Sequence, residues 1–248
     1  MAFKVELSNN SVIKNSFESI SKIVDEITLT ADSEGMHLRA LDRSHITFIT
    51  LDLDKTLFDE YECDVPEKMA IDCNDFNTIL KKCKNDDILK LSVDESSILI
   101  IFDGDARRKF KLPFIDMEYD NPTPPNIVLP CKITIPSTLL KNYIDDMGFF
   151  SDKLDFIIDE NYFKVKTSGQ KGDAETEYLH GENILEVVKS SYSIPKLQEI
   201  MKAHKFSEQC NIYLGNDMPL KINFTLVTGD GCLEYLLAPI LEEGWILW

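Results

Sequence analysis

The chain has 248 residues, 44% of them hydrophobic, and carries a formal net charge of −17 at pH 7. That length suits one large or two ordinary domains with real cores, and the excess of acid argues against a surface that attracts nucleic acid everywhere. No apolar run approaches membrane-spanning length, and the opening Met1-Ala2-Phe3-Lys4-Val5-Glu6 does not look like an export signal, so a soluble protein that stays inside the cell is expected.

In chain order, Ser8, Asn9 and Asn10 offer caps for a helix over 11–27, in which Ile13, Phe17, Ile20, Val24 and Ile27 fall on one face. Lys14, Glu18, Lys22 and Asp25 fall opposite. Strands are expected over 36–41 and 46–53. A second amphipathic helix over 76–85 has Phe76, Ile79, Leu80 and Cys83 on its apolar side and carries Lys81, Lys82 and Lys84. Strands follow over 88–93, 97–102 and 108–112, the last two separated by a Gly104-Asp105 turn. The strip from Pro113 to Pro130, with Pro122, Pro124 and Pro125 among Asp116, Glu118 and Asp120, reads as an extended surface connector. Beyond it come a helix over 137–149 with Leu140, Tyr143, Ile144 and Met147 inward, a strand over 154–158, and a helix over 193–206 with Leu197, Ile200 and Met201 inward. Strands over 211–214, 220–227 and 233–237 close the pattern.

The second half repeats the first. A helix that leads into two strands, a glycine-aspartate turn, a third strand and a proline occurs twice, so that Asp94 matches Asp217 and Pro113 matches Pro239. A repeat this long suits two equivalent domains better than a solenoid. Strands that directly follow strands imply antiparallel meanders, hence an α+β fold. The expected division is 1–115, a connector over 116–130, and 131–248.

Catalytic signatures are missing. The four histidines form no metal-binding pair, no phosphate-binding or nucleophile motif occurs, and Cys63, Cys73, Cys83, Cys131, Cys210 and Cys232 lack zinc spacing. They are expected to be reduced packing residues, with no cofactor and no metal. Ser44-His45 does not suit a nucleophile and base, because adjacent strand residues point to opposite faces.

Four stretches together carry a family resemblance: Gly35-Met36-His37-Leu38-Arg39-Ala40-Leu41-Asp42-Arg43-Ser44-His45-Ile46, the helix around Ile79-Leu80-Lys81, the run from Asp105 to Pro113, and Leu236-Leu237-Ala238-Pro239 before Glu242-Glu243. The chain resembles proliferating cell nuclear antigen, the DNA sliding clamp, of archaeal type, over essentially its whole length. It departs from the usual pattern at Ile240, where a lysine is common, and in the apolar tail Gly244-Trp245-Ile246-Leu247-Trp248.

The resemblance implies a non-enzymatic homotrimeric ring with outer sheets and inner helices around duplex DNA. Lys14, Lys22, Lys81, Lys82, Lys84, Lys141, Lys196, Lys202 and Lys205 become candidates to face phosphates, contacts that carry no sequence information and permit sliding. Ring closure would join the edge run Ala106 to Leu112, with Arg107, Arg108, Lys109 and Lys111, to Ala174 to His180, with Glu175 and Glu177. A partner pocket would comprise Leu41, His45, Ile46 and Phe48, Pro219, Leu236, Ala238 and Pro239, with Tyr119 and Ile127 from the connector. It would take short hydrophobic motifs of a DNA polymerase, ligase and flap nuclease, after an ATP-dependent clamp loader opens the ring. No membrane partner is expected, and the location would be cytoplasmic, or nuclear in a eukaryote. The tail is expected to pack against the clamp's outer sheet or beside the pocket. Two other readings stay open: a subunit of a heterotrimeric, checkpoint-type clamp, and an acidic cytosolic α+β enzyme with an unrecognised site.

Overall fold

The computed structural model describes residues 3–117 and 122–241, and the backbone of 244–245. The elements run β1 (Phe3–Leu7), α1 (Ser11–Ile23), β2 (Glu26–Ala31), β3 (Gly35–Leu41), β4 (Thr47–Asp54), β5 (Glu60–Cys63), β6 (Glu67–Asp72), α2 (Cys73–Leu80), β7 (Ile88–Asp94), β8 (Ser97–Asp103) and β9 (Arg108–Pro113). They continue with β10 (Cys131–Pro136), α3 (Ser137–Met147), β11 (Lys153–Ile158), β12 (Tyr162–Gly169), β13 (Gly172–Leu179), β14 (Val188–Ser193), α4 (Ile194–Ile200), β15 (Gln209–Leu214), β16 (Leu220–Thr225), β17 (Gly231–Leu237), β18 (Ile240–Leu241) and β19 (Gly244–Trp245).

The duplication legible in the sequence is a duplication of topology. Strands neighbour one another as β1-β7-β8-β9 in the first copy and as β10-β15-β16-β17 in the second, while β4-β3-β2-β6 corresponds to β13-β12-β11-β14. The first copy adds β5 beside β1. All of the pairings described are antiparallel. Alternation of side chains explains why each sheet has one buried face. Leu89, Leu91 and Val93 oppose Phe102, Ile100 and Ile98, and Phe156 and Ile158 oppose Val165 and Phe163.

By compactness the chain forms two units that exchange short segments. One comprises Met1–Ala40, Ile49–Thr123 and Leu226–Leu233, the other Leu41–Phe48, Pro124–Thr225 and Glu234–Trp248. In the first, α1 packs on α2 through Phe17 and Phe76, edge to face at 4.8 Å, and Asn77 donates to Ser21 at 2.7 Å. In the second, α3 packs on α4 and covers β10, β12 and β15.

Several helices are shorter than their apolar periodicity predicts. The run expected over 11–27 ends at Ile23, since Val24 is extended and Ile27 lies in β2, where a buried strand position happens to continue the helical spacing. Likewise α2 ends at Leu80, before the tight Lys82 N–H to Ile79 O and Cys83 N–H to Leu80 O bonds, and α4 passes at Met201 into a 3-10 turn through Lys205. The lysines at 81, 82, 84, 202 and 205 therefore sit beyond the α-helices. The expected capping by Asn10 also takes another form, since its side chain donates to Lys84 O and Asp87 O at 2.8 and 2.7 Å. All six cysteines are free, four of them buried.

Candidate functional site

The pocket residues begin with a turn. Ile46, expected to open a strand, and Ser44-His45, expected to be strand residues, lie instead in the connection between β3 and β4, where His45 adopts a left-handed φ of 56°. Asp42 organises this turn from within. One carboxylate oxygen accepts the N–H groups of Ile46 and Thr47 at 2.8 and 2.9 Å, and the other accepts the Ser44 hydroxyl and faces the Lys196 ammonium at 3.4 Å. Burial by itself pushes the Asp42 pKa up; the Ser44 hydroxyl, the two N–H groups and Lys196 outweigh it and hold the carboxyl below its usual range. The Ser44 hydroxyl is thus committed to Asp42.

The turn is joined to the Leu-Ala-Pro segment. Ala238 N–H donates to Ile46 O at 2.8 Å, so two of the four stretches that carry the family resemblance are bonded to each other inside one unit. Ile46, Phe48, Leu236, Ala238, Pro239 and Pro219 are buried, Leu41 and Ile127 half-buried, and His45 exposed. The Pro219 turn is anchored to β14 by the Tyr192 hydroxyl on Met218 O at 2.6 Å and by Asp217 N–H on Lys189 O at 3.1 Å. Strand β14 in turn touches β18, whose Ile240 and Leu241 pair with Trp245 and Gly244 of the tail. Tyr119 and residues 246–248 lie outside the described residues.

The nine lysines separate into two groups. Lys22, Lys81, Lys82 and Lys202 are exposed and carry no ion pair among the described residues; Lys205 is also exposed. The others are engaged: Lys84 with Asp105 at 3.2 Å, Lys141 with Asp145 at 2.5 Å, and Lys196 with Asp42 and with Glu199 at 3.2 Å. Lys14 donates to Cys83 O at 2.8 Å and to Asn85 at 3.1 Å. Donors from Arg108, Lys14 and Asn10 thus hold the carbonyls of 82, 83, 84 and 87, which fixes the backbone of the lysine-bearing loop after α2.

The expected edge strands are edges. Among the described residues, strand β9 pairs with β8 alone and β13 with β12 alone. Neighbours along β9 face different ways. Arg108 turns inward over the Phe102 ring, at 5.2 Å from its centroid, and binds the buried Asp87 carboxylate, while Lys109 and Lys111 are exposed and Lys111 pairs with Asp94 at 2.8 Å. Gly104 makes room for this arrangement, because a Cβ there would run into the Asp87 carboxylate. On β13, Glu175 and Glu177 are exposed and reach Lys166 and Lys164 of β12 at 2.9 and 3.3 Å. Sequence reasoning did not anticipate Asp42 and Asp87 as buried organisers; the Asp-x-Ser spacing at 42–44 is a turn signal that points to the first.

Two copies of one strand-helix-meander plan, each with a helix pair, open edge strands and lysines clustered at helix ends, define the architecture of a DNA sliding clamp. No group of three or more metal-ligating side chains occurs among the described residues, and no helix there is long and apolar enough to cross a membrane. Family models for the N-terminal and C-terminal domains of proliferating cell nuclear antigen match residues 2–122 and 125–240. A DNA polymerase sliding clamp of Methanobrevibacter smithii is 52% identical over 97% of this chain and 99% of its own, and that of Methanothermobacter thermautotrophicus 45% over 97% and 98%. A crystal structure of PCNA from Thermococcus kodakaraensis, 24% identical, superposes with a TM-score of 0.90 over 96% of this chain and 100% of its own. The chain belongs to the proliferating cell nuclear antigen family. That family is a non-enzymatic processivity factor, which removes the reading as an acidic enzyme.

Proposed function

We propose that three copies of this chain close into a ring around duplex DNA and tether replication and repair enzymes to it. The observation that carries the ring is the pattern of edges. Strand β4 is bonded at both its ends to the flanks of β17, by Asp54 N–H on Asp230 O at 2.8 Å and by Ala238 N–H on Ile46 O at 2.8 Å. Topology makes β13 the counterpart of β4 and β9 the counterpart of β17, yet β13 and β9 stay open. The same junction made between copies uses β9 of one and β13 of the next, a head-to-tail contact of the kind that generates rings.

Exposed Lys22, Lys81, Lys82, Lys202 and Lys205 supply the phosphate contacts; Lys14, Lys84 and Lys141 add positive charge while tied to protein groups, and Lys196 is neutralised by Asp42 and Glu199. Net acid elsewhere discourages DNA from the outside, and topological linkage makes tight binding unnecessary. The wall formed by the 41–48 turn, Pro219 and Leu236 to Pro239, with Ile127 of the connector, receives short hydrophobic motifs of polymerase, ligase and flap nuclease once a loader has placed the ring. Its place of work is with the chromosome, in an archaeal type of cell the cytoplasm.

Light scattering tests the assembly: a self-closing ring has three times the 28.4 kDa chain mass. A chain that stays monomeric alone and trimerises only with other clamp chains would favour the heterotrimeric reading. Loader-dependent retention on a primed circular template, with stimulation of a polymerase, tests the function; retention equal on linear and circular DNA would defeat the encircling mechanism.

A further inference from the structure

The structure assigns Lys196 to the partner site: its ammonium pins the Asp42 turn, which makes it a positioning residue for motif binding and not a phosphate contact. This inference rests on the partner-pocket reading above. Its starting point is the burial of Asp42, whose side chain is 3% exposed. A carboxylate so placed requires charge as well as hydrogen bonds, because removal of one partner of a buried pair leaves an uncompensated charge. Ile46 N–H, Thr47 N–H and the Ser44 hydroxyl are neutral donors; Lys196 at 3.4 Å is the cation.

A second carboxylate shares that ammonium. Glu199 Oε2 is buried and makes no hydrogen bond among the described residues, and Lys196 lies 3.2 Å from it. The lysine is held at its root as well, since the Ser193 side chain caps α4 by accepting Lys196 N–H and Pro195 occupies the first turn. To reach a phosphate, the ammonium would have to leave both acids in exchange for a solvent-screened contact. Lys22, Lys81, Lys82 and Lys202 face no such competition.

The consequence reaches the pocket through the backbone. Asp42 fixes Ile46 N–H, and Ile46 O accepts Ala238 N–H at 2.8 Å, so the pin on α4 sets the spacing of the two walls that receive a motif. Loss of the pin loosens the 41–48 turn while the exposed lysines are untouched.

The test uses the full-length clamp, a fluorescein-labelled peptide carrying the short hydrophobic motif of a clamp-dependent polymerase, and amide hydrogen exchange. Lys196→Met is expected to bind the peptide about tenfold more weakly, to speed exchange at Ile46 and Thr47, and to keep wild-type retention on circular DNA across a salt series. Lys196→Arg restores both peptide affinity and protection, which a general packing defect would not allow. Unchanged exchange at Ile46 and Thr47 in Lys196→Met, or loss of DNA retention with peptide affinity intact, overturns the assignment. Peptide binding that ignores a Leu41→Asp substitution instead removes the pocket reading on which it rests.

Discussion

The two open edges, β9 of the first copy and β13 of the second, are the counterparts of the joined strands β17 and β4, and they differ in charge. Strand β9 exposes Lys109 and Lys111, and β13 exposes Asp173, Glu175 and Glu177. Pairing β9 with β9 sets base against base, and β13 with β13 sets acid against acid; only the mixed pair is free of that repulsion. In the ring proposed above, charge would therefore favour head-to-tail association over a face-to-face dimer, although the backbone edges alone would permit either. The ions within each edge are also partly satisfied at home, Lys111 by Asp94 and the two glutamates by Lys166 and Lys164. Such exposed pairs contribute about 0–1 kcal/mol each, so they can be shared with a neighbour at little cost.

The strongest way to break the comparison lies on the inner side of β9. Arg108→Met leaves the Asp87 carboxylate, 3% exposed, without its cation, and a loss of about 3 kcal/mol of unfolding free energy is expected. Chemical denaturation measures it. A change within the error of the midpoint would show that Arg108 is an outward interface residue after all.

One residue further along, the effect moves from folding to assembly. Lys109→Glu with Lys111→Glu is expected to raise the trimer dissociation constant about a hundredfold, through like charges across the junction, with an unchanged denaturation midpoint. Sedimentation across a dilution series reads the constant. Glu175→Lys with Glu177→Lys in the same chain should restore trimers, and persistent monomers would place the junction elsewhere.

Smaller again is the DNA effect. Lys81, Lys82 and Lys202 replaced by Ala should leave trimers and peptide binding intact and lower the salt slope of DNA association by about one for each phosphate no longer neutralised. An identical slope would remove these residues from the DNA face. The mildest expectation concerns Asp159 in the turn between β11 and β12. Burial, the largest influence on Asp159, pushes its pKa up, but the Asn161 N–H, the Lys164 ammonium and the Tyr162 N–H together hold it at about 2. Its ordinary value is 3.8, so its contribution to stability is complete above that value and is lost as pH falls from about 4 to about 2. Asp159→Asn should flatten that part of the acid-unfolding curve, and a variant with the wild-type pH dependence would show that the group contributes nothing there.

By itself the sequence determined the α+β class, the duplication, about half of the strands and the family, because alternation, turn residues and the repeated order of elements are local signals that survive divergence. The glycine-aspartate turns and the strands over 88–93, 97–102 and 154–158 stand within a residue of their expected places. Helix ends were less legible: Ile27 keeps helical spacing yet belongs to β2, because periodicity counts apolar positions and cannot register where the backbone turns. Only tertiary structure decided what the charged residues do. Lys196 and Lys22 read alike on a helix, but a buried carboxylate 42 residues into the chain claims the first, and Arg108 and Lys109 are neighbours on one strand that part because pleating sends one inward to Asp87. A charge takes its role from whatever lies within a few ångströms, and that neighbourhood is assembled from segments far apart in the chain.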